Sequence, residues 1–257
     1  MLGWTKISRS LYSVAPPWAN LDISRDCWEW GLEHRTEFYV RAYRYFSTAL
    51  PKSLVQHRLY FSQDQRGFGE DAFHSLWYQL FINFRPRKVL EIGLYRGQTI
   101  SLWTLIARQL RLDCAVYGIS PLTADGDSAS NYLKTIDYEQ DIKSHFNHFQ
   151  LPLPNLCRAY STDATAHAFI TSEAWDWIYI DGNHDYEIAK QDWNHCSAAV
   201  KSGGLIIFDD AALYSGYHAP AFAFPGHPGP SRLVQEIDKN QFQEILAIGH
   251  NRVFLKK

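Results

Sequence analysis

The residues whose type and spacing invite chemistry are Asp181, His184, Asp209 and Asp210. Asp181 ends the apolar run that begins at Trp175, His184 lies just beyond it, and Asp209-Asp210 end a second apolar run that begins at Leu205. If those runs are adjacent parallel strands, three carboxylates and one imidazole converge at one sheet edge. Carboxylates gathered in that way repel one another unless a cation or a cationic ligand neutralises them, so a metal site is the first expectation.

The second informative segment is Glu91-Ile92-Gly93-Leu94-Tyr95-Arg96-Gly97. A glycine directly after a strand lets the backbone turn sharply and lets a ligand lie against it with no Cβ in the way. Dinucleotide enzymes use G-x-G-x-x-G because a pyrophosphate must sit on the helix N-terminus. The G-x-x-x-G spacing here makes a looser loop, suited to a ligand without phosphates.

The elements that must position these residues alternate along the chain. Phe73, Leu76, Trp77, Leu80, Phe81 and Phe84 share one helical face, and Arg85-Pro86-Arg87 ends that helix. Residues 88–92 predict a strand that runs through the glycine turn into a helix reaching about Leu110. Further strands are expected at 115–119, 156–160, 175–180 and 205–208, with helices at 138–149, 164–172 and 186–200, the last stopped by Gly203-Gly204. Repeated strand and helix in this order predicts an α/β fold, a Rossmann-like parallel sheet with helices on both faces. A helix over 231–239 and strands at 242–248 and 252–255 around Gly249-His250-Asn251 add an antiparallel C-terminal hairpin strand. Residues 1–68, aromatic-rich with Phe38, Ala42, Tyr45 and Ala49 at helical spacing, are expected to form an N-terminal helical cap on a main domain of residues 69–257. Residues 211–230, rich in Gly, Pro, His and aromatics, are expected to be a substrate lid.

On these motifs the chain resembles the class I S-adenosylmethionine-dependent methyltransferases over roughly residues 70–257, whose first motif is E/D-x-G-x-x-x-G after the first strand. The segments Ile180-Asp181-Gly182-Asn183-His184-Asp185-Tyr186-Glu187, Gly203-Gly204 and Phe208-Asp209-Asp210 are similar, more narrowly, to the metal-dependent O-methyltransferases of sugar and natural-product hydroxyls. The resemblance implies S-adenosylmethionine bound by Glu91, Gly93, Tyr95 and Gly97, with Asp181 beside it. It implies a divalent cation, Mg²⁺ first, on Asp181, Asp209 and Asp210, with His184 as base, a small-molecule hydroxyl as acceptor, and assembly into a homo-oligomer. Many such relatives end the second strand in an acid that binds the donor ribose; here Ser120 stands there, followed by Pro121, and Asp125 or Asp127 is the alternative. Asp163 matches the position that contacts adenine. Methyl transfer from a sulfonium is an in-line displacement, so the protein's task is to hold donor and acceptor oxygen together and remove a proton. A hard cation would orient the hydroxyl and lower its pKa, and an imidazole with a pKa of about 6.5 is mostly neutral at pH 7.

Composition narrows the alternatives. A chain of 257 residues, 46% hydrophobic, fits one α/β domain with an appendage. Lys+Arg 25 against Asp+Glu 27 offers no positive excess for a nucleic-acid partner. Cys27, Cys114, Cys157 and Cys196 form no C-x-x-C pair and read as reduced residues of a cytoplasmic protein. Lys6, Arg9 and Pro16-Pro17 interrupt residues 1–20, so neither a signal peptide nor a membrane-spanning helix is expected there.

Each motif also has an ordinary reading: a plain strand-to-helix turn for Gly93 and Gly97, a helix cap for Asp209-Asp210, a loop residue for His184. His218 and His227 lack the spacing of metal ligands. Three rivals remain beside the methyltransferase. A metal-dependent oxygenase needs two histidines and a carboxylate, and of the histidines only His184 belongs to the cluster in sequence. A non-catalytic binder of the donor has no use for like charges at one edge. The glycine spacing disfavours a nicotinamide enzyme.

Overall fold

The computed structural model describes residues 21–124, 126 and 132–257. The expectations for residues 1–20 and for Asp125 and Asp127 lie outside them. Strands β1 (Lys88–Ile92), β2 (Ala115–Ser120), β3 (Asn155–Arg158), β4 (Trp175–Ile180), β5 (Val200–Phe208), β6 (Phe242–Ile248) and β7 (Asn251–Lys256) form one sheet in the order β3-β2-β1-β4-β5-β7-β6. The first five pair in parallel, while β7 runs antiparallel to both β5 and β6. The expected mixed α/β sheet with an antiparallel C-terminal hairpin is therefore present.

Alternation along the central strands separates two cores, as a sheet covered on both faces requires. Val89, Trp177, Tyr179, Leu205 and Ile207 face one side. There they meet the apolar stripes of α4 (Asp71–Phe84), α5 (Gln98–Gln109) and α6 (Tyr138–His148), with α1 (Trp28–Glu33), α2 (Arg35–Thr48) and α3 (Lys52–Phe61) contributing to the same core. Leu90, Ile92, Ile178, Ile180, Ile206 and Phe208 face the other, against α7 (Ala164–Thr171), α8 (Tyr186–Ala199) and α9 (Pro228–Leu233). The first side is dominated by aromatic packing. Trp103 meets Trp77 at 4.9 Å and Trp177 at 5.7 Å, both edge to face. Each such ring contributes about 1.5–3 kcal/mol through burial.

Several local expectations change. The α2 stripe is Phe38, Tyr39, Ala42 and Phe46, and Ala49 is exposed. Helix α9 spans Pro228–Leu233, well short of residue 239. Gly203 and Gly204 do not terminate α8; they lie inside β5, where a Cβ on Gly204 would sit 2.8 Å from the Asp176 carbonyl oxygen. The glycine there permits close approach of β4 to β5 at their register shift. Among the described residues no helix is long and apolar enough to cross a membrane. The four cysteines are unpaired, with Cys157 and Cys196 buried.

The sheet register sets the site. Ile92 pairs with Ile180, and Ile180 with Phe208, so Gly93, Asp181 and Asp209 are the first residues beyond three adjacent strands. Their amides continue the ladder: Gly93 N donates to Ile119 O (2.9 Å), Asp181 N to Ile92 O (2.9 Å) and Asp209 N to Ile180 O (3.0 Å). Because β7 is antiparallel to β5, its start is brought beside the end of β5, with Arg252 opposite Phe208. The β6–β7 turn therefore falls at the same edge.

Candidate active site

One cavity of about 520 Å³ opens along this edge, lined at one end by Glu91, Gly93, Tyr95 and Ser120 and at the other by Asp181, His184, Asp209 and Asp210. Its size is in the range of small-molecule sites. The two motifs singled out in the sequence thus share one space.

At the first end the chain turns through Gly93 (φ +92°) and Gly97 (φ +79°), and Tyr95 also adopts a left-handed backbone (φ +42°). A Cβ on Gly93 would lie 1.8 Å from the Asp181 carbonyl oxygen, so only glycine allows β1 and β4 to end side by side. Gly97 caps α5 and is set back from the cavity wall, with Ile142 3.0 Å from where its Cβ would be. Tyr95 donates to the Gln65 carbonyl (2.8 Å) and stacks on Phe68 at 4.4 Å. Arg96 holds the turn from behind, donating to both oxygens of Asp141 (2.5 and 3.0 Å) and to the Asp64 carbonyl (2.7 Å). Glu91 is buried, and its Oε2 has no hydrogen-bond partner. Burial pushes its carboxyl well above the usual range, Thr99 and the Ile100 amide oppose this, and Asp209 reinforces it.

Ser120 lines the cavity, but its hydroxyl is engaged locally, accepting from the Leu122 amide at 3.2 Å. The cavity wall near β3 is made by Ala159, Tyr160 and Ser161. Asp163 is not part of that wall. Its carboxylate accepts the Tyr160 amide (2.9 Å) and fixes the turn that presents Tyr160 and Ser161. Asp163, expected to contact adenine, therefore lies outside the cavity wall, and it is the turn it holds that lines the cavity.

At the second end the carboxylates are not equivalent. Burial, followed by the charges of Asp209 and Glu91, raises the pKa of Asp181 well above the usual carboxylate range. Burial acts on Asp209 in the same direction, but His250, together with hydrogen bonds from Asp181 and Tyr179, keeps it ionised, below its ordinary range. Asn251 adds a hydrogen bond from Nδ2 to Asp209 Oδ1 at 2.8 Å. His250 Nδ1 donates to the Phe224 carbonyl (2.8 Å), while Nε2 lies 3.2 Å from Asp209 Oδ1 and 3.6 Å from Asp210 Oδ1. With acceptors at both nitrogens the ring is an imidazolium. Burial by itself would lower its pKa, but Asp209, Asp210 and Glu70 overcome that and raise it to about 10.

Asp210, with a left-handed backbone (φ +51°), turns its other oxygen elsewhere. Its Oδ2 is 2.8 Å from His184 Nε2 and 3.8 Å from His227 Nε2, and the two imidazole rings are 4.0 Å apart. Among the described residues, two groups bring ligand atoms within 4.8 Å of one another: His184 with Asp210 and His227, and Asp209 with Asp210 and His250. Asp181 belongs to neither. His227, set aside in the sequence for want of ligand spacing, is thus part of the cluster, and so is His250, which the sequence offered only as a turn residue. His218 stays apart, its backbone paired with Thr36 of α2.

Residues 90–211 match a family model described as a methyltransferase domain. Many solved structures share the fold. A methyltransferase from Podospora anserina with S-adenosylhomocysteine bound is 15% identical, with 84% of this chain and 94% of that chain covered and a TM-score of 0.57. An O-methyltransferase from Bacillus cereus in complex with S-adenosylhomocysteine is 14% identical, covering 83% and 96% with a TM-score of 0.56. The O-methyltransferase TomG from Streptomyces achromogenes, in complex with S-adenosylmethionine, is 14% identical, covering 83% and 94% with a TM-score of 0.51. At these identities the likeness is one of fold. No curated protein matches the chain in sequence. The domain match, the strand order and the glycine turn agree with one another: residues 90–211 carry a methyltransferase domain, and the fold is the one seen in S-adenosylmethionine-dependent O-methyltransferases.

Proposed function

We propose that the chain transfers the methyl group of S-adenosylmethionine to a hydroxyl of a small molecule, a sugar or other natural product. The observation that carries this reading is the shared cavity: the glycine turn at one end and the Asp181, His184, Asp209 and Asp210 cluster at the other face the same space. The donor would lie over Gly93 with Glu91 Oε2 available to its polar groups, and Tyr95 and Ser120 along its length. The acceptor oxygen forms a bond to the methyl carbon as the carbon–sulfur bond breaks. S-adenosylhomocysteine leaves, and the hydroxyl proton passes to the protein.

His184 would act on that hydroxyl, a reading supported by its ring lying 2.8 Å from Asp210. It does so by accepting the proton or by holding an ion that acidifies the oxygen. The carboxylates that the resemblance implies for a divalent cation, Asp181, Asp209 and Asp210, would suit Mg²⁺ as an all-oxygen set, but Asp181 belongs to neither group of converging ligand atoms, so a cation at this rim would centre on Asp210. The donor set fits a cation in charge, although the buried imidazolium of His250 already answers part of that charge at Asp209.

A calorimetric titration with S-adenosylhomocysteine, followed by radiolabelled methyl transfer to a panel of hydroxylated small molecules with and without Mg²⁺, tests the reading. Micromolar product binding and labelled ether formation are expected. Failure to bind S-adenosylhomocysteine while NADP raises the melting temperature would overturn it.

A further inference from the structure

We propose that His184, Asp210 and His227 form a two-histidine, one-carboxylate centre for a divalent transition ion of the Zn²⁺, Co²⁺ or Mn²⁺ type, in place of an all-oxygen Mg²⁺ site. The inference deepens the proposed function and rests on it only for the ion's task. The distances fit such a centre. Metal–ligand bonds of about 2.1 Å place neighbouring ligand atoms roughly 3.0–3.4 Å apart. The two imidazole nitrogens stand 2.8 and 3.8 Å from the same Asp210 oxygen, on either side of that spacing. Imidazole favours borderline transition ions, whereas Mg²⁺ prefers oxygen and gives up its waters reluctantly. Three protein ligands leave positions open to an acceptor oxygen, and all three line the cavity.

The centre is built into the backbone. Segment 226–229 is pressed onto the other two ligands: a Cβ on Gly226 would lie 2.3 Å from the Asp210 carbonyl oxygen, and one on Gly229 would lie 2.0 Å from that of His184. His227 N donates to Asp210 O (2.8 Å), Ala211 and Gly226 form an isolated β-bridge, and Ser231 Oγ donates to the same Asp210 carbonyl at 3.1 Å. His227 also caps α9, where Pro228 and Pro230 restrict the backbone. Neutral imidazoles bound to an ion tolerate the 4.0 Å ring contact of His184 and His227 without like-charge repulsion.

The neighbouring carboxylates are a poorer place for a cation. Asp209 Oδ1 is already engaged by His250 Nε2 (3.2 Å) and Asn251 Nδ2 (2.8 Å), so an ion there would have to displace existing partners. Oδ2 of Asp210 points away from that ring, toward the two histidines. In this arrangement His184 is a ligand and not the base.

The full chain, stripped with a chelator, can be titrated with Co²⁺, Zn²⁺ and Mg²⁺ by calorimetry while the visible spectrum of the Co²⁺ form is recorded. One Co²⁺ or Zn²⁺ per chain is expected, with Co²⁺ bands characteristic of nitrogen ligation and Mg²⁺ weaker by at least about 100-fold. His227→Ala should weaken Zn²⁺ by more than the ~10–100-fold typical of an outer-shell change, while the thermal shift with S-adenosylhomocysteine persists. Mg²⁺ binding as tightly as Zn²⁺, an all-oxygen Co²⁺ spectrum, or unchanged Zn²⁺ affinity in a folded His227→Ala chain would each overturn the centre. Should that variant not fold, the Co²⁺ spectrum of the unaltered chain decides. Co²⁺ ligation without S-adenosylhomocysteine binding would defeat the proposed function and leave the centre standing; the converse result would do the opposite.

Discussion

Where β1 ends, the turn is fixed by residues within a few positions of one another: Gly93, Tyr95 and Gly97 supply the left-handed backbone, and Arg96 anchors it from behind. Where β5 ends, Asp209 and Asp210 depend on residues far along the chain. His227 arrives from the segment before α9, and His250 and Asn251 from the hairpin turn. The glycine-turn end, proposed for the donor, is therefore shaped by local conformation, and the aspartate end, proposed for the acceptor, by assembled charge. Substitutions should divide along that line, with backbone changes hurting binding at the first end and charge changes hurting turnover or stability at the second.

The sharpest test is Asp210→Asn. This residue touches His184, His227 and His250 and lies at the reacting end of the cavity. Its loss should lower kcat by on the order of 10³, within the range of acid–base or metal-assisted steps, with S-adenosylhomocysteine affinity unchanged. A matching loss of product affinity in calorimetry would show that the two ends are not separable. Next comes His250→Leu, which leaves Asp209 buried opposite a neutral side chain. Removing one partner of a buried pair costs about 3–5 kcal/mol, to be read from urea unfolding. A cost below about 1 kcal/mol would mean that His250 does not neutralise the aspartates.

Gly93→Ala probes the donor end. A left-handed φ and a Cβ 1.8 Å from the Asp181 carbonyl oxygen should together cost about 2–3 kcal/mol and weaken S-adenosylhomocysteine at least tenfold. Gly203→Ala is the contrast, since φ is +77° but nothing lies within 4 Å of the new Cβ. It should cost about 1 kcal/mol and leave binding untouched. Equal effects from both would reduce Gly93 to an ordinary turn residue.

This division also explains what the sequence made legible. Strand β4 and the strands of the final hairpin appear where the apolar runs put them, and the register brings Asp181 and Asp209 to adjacent strand ends. Local pattern was enough because each element's periodicity is set by which face it buries. His227 and His250 were not legible as site residues, because ligand spacing in sequence says nothing about groups brought together by topology. For His250 a signal did exist: an antiparallel hairpin laid beside a parallel strand must place a turn at the carboxyl edge, and Gly249-His250-Asn251 is that turn. For His227 the rigid Gly226-His227-Pro228-Gly229-Pro230 frame was the only hint. Gly203-Gly204 misled because glycine can allow strands to approach as readily as it ends a helix.

Asp192 supplies the smallest and most specific test, because it is a buried carboxylate without the counter-charge that Asp209 enjoys. It lies in α8, fully buried, with neither carboxylate oxygen in hydrogen-bond contact with another described residue. Burial raises its pKa from 3.8 to about 7, and the nearby Ser161 hydroxyl, too poorly placed to make a hydrogen bond, opposes this only weakly. A carboxyl whose folded pKa lies above its unfolded value costs nothing below pH 4, where both states are protonated. Between about pH 4 and 7 the unfolded chain ionises first, so stability falls with rising pH, and above 7 the loss is complete. At about 1.4 kcal/mol per pH unit the loss has an upper bound of roughly 4 kcal/mol. An amide keeps a burial cost of its own, so Asp192→Asn should gain about 1–2 kcal/mol at pH 8 and nothing at pH 4. Urea unfolding at the two pH values reads the difference directly. A gain that is the same at both would mean that folding does not shift the pKa of Asp192, and a loss at pH 8 would mean that its charge is compensated after all, as that of Asp209 is by His250.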